Sequence, residues 1–325
     1  MRAKITGTGF AVPEKIVTNA DLEKMVDTSD DWITARTGIK KRFISSEGEY
    51  TSTFATRAGE KALAMAGVNA DEIEMLIVAT VTPDFPFPST ACLVQNNLKA
   101  LKATAFDVSA ACTGFLYSLS IVEKFIRTGS IRKALVIGAE VLSRVVDWTD
   151  RNTCCLFGDG AGAVVLEAAS DDRGIMSTHI HSDGSYWQLL HQPAVGNRNP
   201  ASPKVLEERL PYINMQGNEV FKLAVRGMEE AALEALAANN LGTSDINLFI
   251  PHQANRRIID AISKRLGLTD EQLYINLENY GNTSSASIPI ALDEVNRSGR
   301  IKEGDIIVLD AFGAGLTWGA VLVRW

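Results

Sequence analysis

One cysteine, Cys112, occupies a position where a reactive thiol is expected. It follows an apolar strand and three small residues, 109–111, and it opens a long segment of helical period. A thiol at a helix N-terminus lies close to unpaired backbone N–H groups and to the positive end of the helix dipole, and both favour the thiolate. Buried, inert cysteines are also common. Position alone therefore leaves Cys112 as either a nucleophile or a core residue.

Two further polar residues, His252 and Asn282, lie where strands and turns of the second half end. His252 closes the apolar run 248–251, and ligands of α/β sheets bind at the carboxyl ends of strands. A helix-capping role is the alternative. Asn282 follows Gly281 in a sequence that suits a tight turn, and Ser284 suits the N-cap of the next helix. Turn formation alone would explain Asn282.

The remaining histidines and cysteines favour structural roles. His179 and His181 alternate along a predicted strand, but no cysteine or acidic cluster nearby completes a metal site. His191 lies in a polar loop and is expected to be solvated. The cysteines that we expect to be inert are Cys92, Cys154 and Cys155. The sequence therefore predicts no metal centre.

Apolar strands alternate with helical segments and must position these residues. Thr113 to Thr128 carries an apolar stripe at helical spacing, and a second Ala- and Leu-rich helix is predicted from Glu219 to Asn240. Further helices are predicted from Ala254 and from Ser284. The predicted strands, each a short and nearly continuous apolar run, are 76–81, 134–138, 163–166, 248–250 and 306–309. This alternation predicts an α/β fold.

A faint internal repeat divides the chain. Each half runs through a buried strand, a helix, a turn and a long helix, and ends in a Phe-Gly-x-Gly loop, at 157–160 and 312–315, followed by an apolar strand. We therefore predict two related α/β halves, 1–172 with Cys112 and 173–325 with His252 and Asn282. A site built from turns of both halves would lie at their junction.

Composition excludes several classes of protein. The chain has 325 residues, 46% of them hydrophobic, and its 32 basic and 39 acidic residues give a net charge of −7. Disorder and general nucleic-acid binding are therefore disfavoured. No apolar run approaches the length of a membrane span, and the first residues lack the apolar stretch of a secretory signal. Four unpaired thiols suit a reducing compartment, so we expect a cytoplasmic protein.

Taken together, the motifs resemble those of the beta-ketoacyl-[acyl-carrier-protein] synthase III family. The matching segments are GTG at 7–9, TSDDWI at 28–33, RTGI at 36–39, DVSAAC at 107–112, FGDGAG at 157–162, PHQAN at 251–255, GNTS at 281–284 and FGAGLTWG at 312–319. They extend over essentially the whole chain. The resemblance implies the thiolase-like fold, five αβαβα layers built from two related halves, and a homodimer.

The resemblance also implies a reaction. A thiolate of Cys112 takes the acyl group of an acyl-CoA primer, most simply acetyl-CoA, and His252 and Asn282 stabilise the enolate that forms when malonyl-acyl carrier protein loses CO2. The products are 3-oxoacyl-acyl carrier protein, CoA and CO2. Backbone N–H groups of Cys112 and Ala314 form the implied oxyanion hole. Acyl-CoA is a substrate, and no cofactor is implied.

Substrate-binding residues follow from the same resemblance. Trp32 and Arg151 would sandwich the CoA adenine, since aromatic and guanidinium faces suit stacking. Arg36 would lie near the phosphates, and Gly217 and Asn255 would line the pantetheine channel. In a separate role, Phe87 is implied to reach across the dimer and limit the partner's acyl pocket.

An acidic carrier protein requires a local basic face on this acidic chain. Arg257 and Lys264 are seven residues apart on the helix after His252 and therefore share a face. The predicted docking residues are Lys222, Arg256, Arg257, Lys264 and Arg265. An ordinary solvated helix face is the alternative.

Other functions remain open at this stage. A condensing enzyme or thioesterase of secondary metabolism could use the same three residues with another acceptor or with water. A non-catalytic acyl or CoA binding protein would not need Cys112, His252 and Asn282 together. A papain-like hydrolase also uses Cys, His and Asn, but the duplicated α/β pattern does not suit it.

Overall fold

Thirteen strands and eleven α-helices alternate along the chain in a computed structural model that describes every residue from Met1 to Trp325. The strands are β1 (Arg2–Ala11), β2 (Ile16–Thr18), β3 (Lys41–Phe43), β4 (Met75–Ala79), β5 (Thr104–Val108), β6 (Lys133–Glu140), β7 (Gly160–Ala169), β8 (Gly174–Ser182), β9 (Leu190–His191), β10 (Asn214–Met215), β11 (Leu248–Pro251), β12 (Ile306–Gly313) and β13 (Thr317–Arg324). The helices are α1 (Asn19–Leu22), α2 (Asp30–Thr37), α3 (Thr51–Ala66), α4 (Thr90–Leu98), α5 (Gly114–Arg127), α6 (Arg151–Cys154), α7 (Pro203–Glu207), α8 (Gly217–Ala237), α9 (Arg256–Leu266), α10 (Leu277–Tyr280) and α11 (Ser287–Arg297).

Two large mixed sheets form the frame. The first has the strand order β1-β7-β6-β4-β5, and the second has the order β11-β12-β13-β8. In the first sheet β4 is parallel to β5 and β6, and β7 is antiparallel to both β6 and β1. In the second, β11 is parallel to β12, and β13 is antiparallel to β12 and β8. Both sheets therefore pass from parallel to antiparallel pairing in the same way.

Helices cover both faces of both sheets. On β4, Met75 and Ile77 pack toward α5 and α11, whereas Leu76 and Val78 pack toward α3 and α4 on the opposite face. The same alternation on the second sheet separates the α5 and α11 side from the α8 and α9 side. Because each central strand is buried on both faces, its sequence is continuously apolar. The result is the expected αβαβα arrangement, with α5 and α11 as the middle layer.

The ends of some elements differ from the sequence expectation. β4 ends at Ala79 rather than continuing to residue 81, because the N–H groups of Val81 and Thr82 donate to the carboxylate of Glu140. The helix expected from Ala254 begins at Arg256, since the Asn255 side chain accepts the N–H of Arg257 at 2.9 Å and caps it. The second predicted helix occupies Gly217–Ala237 instead of 219–240.

Ser284 is not the helix cap that the sequence suggested. Residues 284–286 form a 3₁₀ turn, and α11 begins only at Ser287. The backbone of Ser284 has a φ of 50°, and its hydroxyl donates to Glu140 at 3.2 Å instead of accepting from the helix. None of the helices combines the length and apolar composition of a membrane span.

Candidate active site

A cavity of about 950 Å³ is lined by Cys112 and by residues of both halves of the chain. Eleven of the residues singled out from the sequence line it: Trp32, Arg36, Cys112, Arg151, Gly217, Lys222, His252, Asn255, Arg257, Asn282 and Ala314. Four others do not: Phe87, Arg256, Lys264 and Arg265. Residues from both parts of the chain, before and after position 172, therefore line one cavity.

Cys112 lies in a tight turn at the base of the middle layer. Residues 111–113 form a 3₁₀ turn that runs directly into α5, and Ala111 has a φ of 46°. A Cβ atom on Gly313 would lie 2.8 Å from the Cys112 nitrogen, so only glycine allows the 313–315 loop to approach this closely. Burial raises the pKa of the Cys112 thiol to about 12. The resting group is therefore the thiol, in contrast to the thiolate that the helix N-terminus alone would favour.

His252 is fixed at the carboxyl end of β11. The backbone N–H of His252 donates to the backbone carbonyl of Asp310 on β12 at 2.7 Å. The ring Nδ1 lies 2.7 Å from the hydroxyl of Ser287 at the start of α11. Burial lowers the pKa of His252 to about 3. The imidazole is therefore neutral at physiological pH and carries one ring proton.

The turn around Asn282 fixes its side chain and leaves the side-chain nitrogen Nδ2 without a hydrogen-bond partner. The backbone N–H of Asn282 donates to the carbonyl of Leu156 at 2.8 Å, and its side-chain Oδ1 accepts the backbone N–H of Ser284, also at 2.8 Å. Gly281 has a φ of 68°, and a Cβ there would lie 2.9 Å from the Leu156 carbonyl, which explains the glycine. Because Oδ1 is occupied, Nδ2 is the group that Asn282 can offer to a ligand in the cavity.

The outer part of the cavity is aromatic and basic. The guanidinium carbons of Arg151 and Arg36 lie 4.9 Å and 5.2 Å from the centre of the Trp32 ring. Arg151 also donates to the carbonyl of Asp27 at 2.9 Å. A planar base would fit between Trp32 and Arg151 only if the guanidinium moved away from the ring.

Two cavity residues were assigned other roles from the sequence. His191, expected to be solvated, lies on β9 and lines the cavity, packed against Trp187 at 5.2 Å between ring centres. Cys155, expected to be inert, also lines it, and the neighbouring Cys154 thiol lowers the pKa of Cys155 to about 7. Neither position had a sequence signal, because the cavity that both residues line is assembled from segments distant in the chain.

His179 and His181 have the structural role that was expected. Nδ1 of His179 lies 3.1 Å and Nε2 of His181 2.6 Å from the two carboxylate oxygens of Glu234 on α8. These contacts join β8 to the helix that covers it. No group of three or more histidine, cysteine or acidic side chains is arranged to hold a metal ion.

The predicted basic face is partly neutralised by its neighbours. Lys222 pairs with Glu219 at 2.8 Å, Arg256 pairs with Asp260 at 2.6 Å, and Arg265 pairs with Glu229. Arg257 instead lies over the ring of Phe221 at 5.6 Å. Arg257 and Lys264 form no ion pair and are the unneutralised cations of this face.

Phe87 lies outside the cavity of its own chain. It is 85% exposed, and the nearby Phe85 is 53% exposed. The side chain of Phe87 is therefore accessible to another molecule.

A buried cysteine, a neutral histidine and an asparagine line one cavity of this αβαβα fold. That combination defines a thiolase-like acyltransferase of the condensing type. Family models described as 3-oxoacyl-[acyl-carrier-protein (ACP)] synthase III and its C-terminal part match residues 106–184 and 236–325. The chain belongs to the beta-ketoacyl-[acyl-carrier-protein] synthase III family, whose members catalyse the initiating condensation of fatty acid synthesis.

Individual relatives are similar over their full length. The beta-ketoacyl-[acyl-carrier-protein] synthase III of Caldanaerobacter subterraneus subsp. tengcongensis is 54% identical over 99% of this chain and 98% of its own. The crystal structure of 3-oxoacyl-[acyl-carrier-protein] synthase III from Aquifex aeolicus VF5 has a TM-score of 0.93 at 50% identity, covering 99% of this chain and 100% of that one. A priming beta-ketosynthase of the R1128 polyketide biosynthetic pathway has a TM-score of 0.91 at 34% identity, covering 99% and 96%.

Proposed function

We propose that the enzyme condenses acetyl-CoA with malonyl-acyl carrier protein through an acyl-Cys112 intermediate. The sulfur of Cys112 attacks the thioester carbonyl, the bond to the CoA sulfur breaks, and CoA leaves. The acyl-enzyme then reacts with the carbanion that decarboxylation of the malonyl group produces. Splitting one difficult condensation into two thioester reactions lowers the barrier of each. The observation that carries this proposal is that Cys112, His252 and Asn282 line the same cavity.

His252 and Asn282 suit the decarboxylation step. Nε2 of a neutral His252 and Nδ2 of Asn282 both donate hydrogen bonds, and both are the unengaged nitrogens of their side chains. Aimed at the malonyl thioester oxygen, they would stabilise the enolate as CO2 leaves. Preorganised donors of this kind typically contribute about 3–4 kcal/mol each to a transition state.

A second set of donors serves the acyl group on Cys112. The close approach of Gly313 to the Cys112 backbone supports an oxyanion hole in which the N–H groups of Cys112 and Ala314 donate to the acyl carbonyl oxygen. Both are backbone donors, so the side chain of Ala314 has little effect on them. Its φ is not in the left-handed region, unlike that of Gly315 at 139°, so alanine is accommodated at 314.

CoA enters along the aromatic and basic part of the cleft. Trp32 and Arg151 hold the adenine, Arg36 lies near the phosphates, and Gly217 and Asn255 line the pantetheine channel that leads to Cys112. Since acyl-CoA is a substrate, the reaction as written needs no cofactor.

The carrier protein docks on the basic face beside the cavity entrance. Of the five residues proposed from the sequence, Arg257 and Lys264 contribute most, because Lys222, Arg256 and Arg265 already have carboxylate partners. Arg257 lies at the cavity itself and Lys264 further along α9. This arrangement would guide an acidic carrier toward the entrance.

The active form is a homodimer in which Phe87 completes the partner's acyl pocket. The 85% exposure of Phe87 in one chain and its absence from that chain's cavity support this assignment. A large aromatic side chain at the end of the pocket would favour a short primer. We expect the enzyme to act in the cytoplasm, where its substrates are made.

Intact-protein mass spectrometry after incubation with a panel of acyl-CoAs tests this proposal. Wild type should gain the mass of one acyl group, largest for acetyl-CoA, and Cys112→Ala should gain none. His252→Ala and Asn282→Ala should acylate normally and fail to condense. No adduct with any acyl-CoA would disprove the acyl-Cys112 intermediate.

A second candidate function differs only in the acceptor. The 34% identity to a polyketide priming ketosynthase supports a condensing enzyme of secondary metabolism, which would use the same three residues. Comparing condensation rates with carrier proteins of the two kinds of pathway, using the same acyl-enzyme, separates the two.

A further inference from the structure

Glu140 is a fully buried carboxylate behind the active site that the mechanism above does not use. It ends β6 and is 0% exposed. Its Oε2 accepts the N–H groups of Val81 and Thr82, both at 3.1 Å, and the Thr82 hydroxyl at 2.6 Å. A second hydroxyl, that of Thr80, lies 3.2 Å from the same oxygen. These donors hold Oε2 on the side of the first half of the chain.

The other carboxylate oxygen faces the second half and has capacity for a proton. Oε1 lies 3.2 Å from the hydroxyls of both Ser284 and Ser285. The hydroxyl of Ser285 also lies 2.8 Å from the carbonyl of Ala79 and can give its one hydrogen to that oxygen. A proton on Oε1 would then be accepted by Ser285. Both charge states of Glu140 therefore find hydrogen-bond partners.

Ser284 connects this carboxylate to the cavity. Its turn, 284–286, packs against the turn 111–113 that carries Cys112, and both residues line the cavity. The backbone of Ser284 is in the left-handed region, which costs a non-glycine residue about 1 kcal/mol or more and persists only where the surroundings require it. Ser284 thus contacts Glu140 through its hydroxyl and borders the cavity that Cys112 also lines.

Two buried titratable groups of this region, Glu140 and His252, differ strongly as bases. Burial raises the pKa of Glu140 to about 7 and lowers the pKa of His252 to about 3. At neutral pH the carboxylate of Glu140 accepts a proton far more readily than the imidazole does. A thiol whose own pKa burial has raised to about 12 needs such an acceptor in order to react.

We propose that Glu140, acting through the hydroxyl of Ser284, takes the proton of the Cys112 thiol as its sulfur attacks the acyl thioester. The inference rests on the proposed role of Cys112 as nucleophile. Glu140 does not contact the substrate in this proposal. It acts through Ser284, as a positioning residue that holds the proton lost by the thiol.

The step balances over one turnover. Ser284 gives its hydrogen to Oε1 and receives that of Cys112, while the sulfur forms a bond to the acyl carbon and the bond to CoA breaks. CoA leaves as a thiolate and takes a proton from solvent. When the condensed product departs, the Cys112 thiolate recovers its proton from Glu140 through Ser284. One proton is consumed from solvent per turnover, which matches the conversion of the malonyl carboxylate to CO2.

Asp159 and His252 have hydrogen-bond partners other than Glu140. The negative charge of Glu140 raises the pKa of the Cys112 thiol further, in addition to burial. The buried Asp159, next to the strand that pairs with β6, accepts from Ser143 and from the N–H of Ser45. His252 is held by Ser287.

The test is the pH dependence of self-acylation by acetyl-CoA, followed by rapid quench and intact-protein mass spectrometry from pH 5 to 9. In wild type the rate should rise through about pH 7 and then level off. Glu140→Gln keeps the size and hydrogen-bonding capacity of the side chain but removes the base. Its rate should be roughly a hundredfold lower at pH 8 and should keep rising with pH without a plateau.

Two further variants make the result specific. Ser284→Ala leaves Glu140 in place, and its self-acylation rate should also lack the levelling-off above pH 7, here called the inflection. This variant keeps the test valid even if Glu140→Gln folds poorly. Asp159→Asn makes the matching change at a buried carboxyl that does not reach the thiol, and it should retain the inflection. An unchanged pH profile in Glu140→Gln and Ser284→Ala, at any absolute rate, would overturn the inference. Acylation of Cys112 in wild type would still establish the proposed function.

Discussion

The hydroxyl oxygen of Ser287 lies 2.7 Å from Nδ1 of His252, at the start of α11. The same oxygen is 3.4 Å from the N–H of Gln253, which donates to it. If the hydroxyl gives its one hydrogen to Nδ1, the ring proton of the neutral imidazole lies on Nε2. We therefore predict that Ser287 selects the tautomer of His252 in which Nε2 is the donor.

Loss of this contact should slow condensation selectively. In Ser287→Ala we expect self-acylation to be unchanged and condensation of the acyl-enzyme to slow about tenfold, because a buried hydrogen bond of this kind contributes about 1–1.5 kcal/mol. Single-turnover rates of each half-reaction measure the difference. The ¹⁵N NMR signals of the His252 ring should report a loss of the Nε2–H tautomer.

The matched control is at the other end of the same helix. Ser298→Ala removes a hydroxyl that donates to the Val295 carbonyl at 3.0 Å, and it should change neither rate. Equal slowing of acylation and condensation in Ser287→Ala would show that the contact supports the fold rather than the tautomer.

Two buried groups should make opposite contributions to the pH dependence of stability. The folded pKa of His252 is about 3, below its usual 6.5, so His252 lowers stability as the pH falls from 6.5 toward 3. The folded pKa of Glu140 is about 7, above its usual 4.5, so the unfolded chain loses this proton first. Glu140 therefore lowers stability as the pH rises from 4.5 toward 7. Between pH 4.5 and 6.5 the two effects oppose one another.

Glu140→Gln should remove the contribution of Glu140 to the pH dependence of stability. Relative to wild type, the variant should gain about 1.4 kcal/mol in free energy of unfolding per pH unit between pH 4.5 and 7, since glutamine does not titrate. Urea unfolding at a series of pH values measures the difference. A constant offset between the two proteins across this range would mean that Glu140 is ionised in the folded state throughout.

Much of the site could be predicted because its residues lie at the ends of strongly apolar strands. The strand 248–251 ends directly before His252, and the long helix after Cys112 begins within two residues of it. Asn282 was identifiable only through the motif resemblance, since a glycine-asparagine turn has no chemistry of its own. Local pattern thus indicated Cys112 and His252 as candidates, whereas Asn282 required the resemblance.

Long-range partners account for what the sequence did not reveal. Glu140 reads as the end of an apolar strand, and only folding brings it to Ser284, 144 residues away. Similarly, the sequence places Arg265 in a basic stretch of α9. Only the fold brings Glu229 on α8, 36 residues away, into an ion pair that neutralises it. Charge partners and buried hydrogen-bond networks depend on tertiary contacts that no spacing within one helix encodes.

Charge reversal on α9 should separate carrier binding from CoA binding. Lys264 is exposed, lacks an ion pair and lies outside the cavity, so Lys264→Glu should raise KM for malonyl-acyl carrier protein about threefold to tenfold. Self-acylation by acetyl-CoA should not change. Arg257→Glu should impair both half-reactions, because Arg257 lines the cavity.

Salt and a distant lysine provide the controls for this prediction. The effect of Lys264→Glu should shrink in high salt, where exposed charges are screened. Lys302→Glu makes the same change at an exposed lysine before β12 and should leave KM for the carrier unchanged. An equal rise in KM for both variants would assign the effect to net charge alone.

The longest acyl chain that the enzyme accepts as primer should depend on Phe87 of the opposite subunit. Phe87→Ala should raise the ratio of hexanoyl-CoA to acetyl-CoA self-acylation at least tenfold, since each added methylene that gains apolar contact contributes about 0.8 kcal/mol. Phe85→Ala, which truncates the neighbouring exposed aromatic, should leave the ratio unchanged.

Mixed dimers identify which subunit supplies the side chain. A subunit with intact Cys112 and Phe87, paired with one that carries both Cys112→Ala and Phe87→Ala, should accept the longer primer. The converse dimer joins a Phe87→Ala subunit with intact Cys112 to a Cys112→Ala subunit with intact Phe87, and it should remain selective for acetyl-CoA. Because only one cysteine reacts in each dimer, the acyl mass reports a single pocket. A change of primer that instead followed Phe87 of the reacting subunit would show that the side chain folds into its own cavity and that the dimer has no part in selecting the primer.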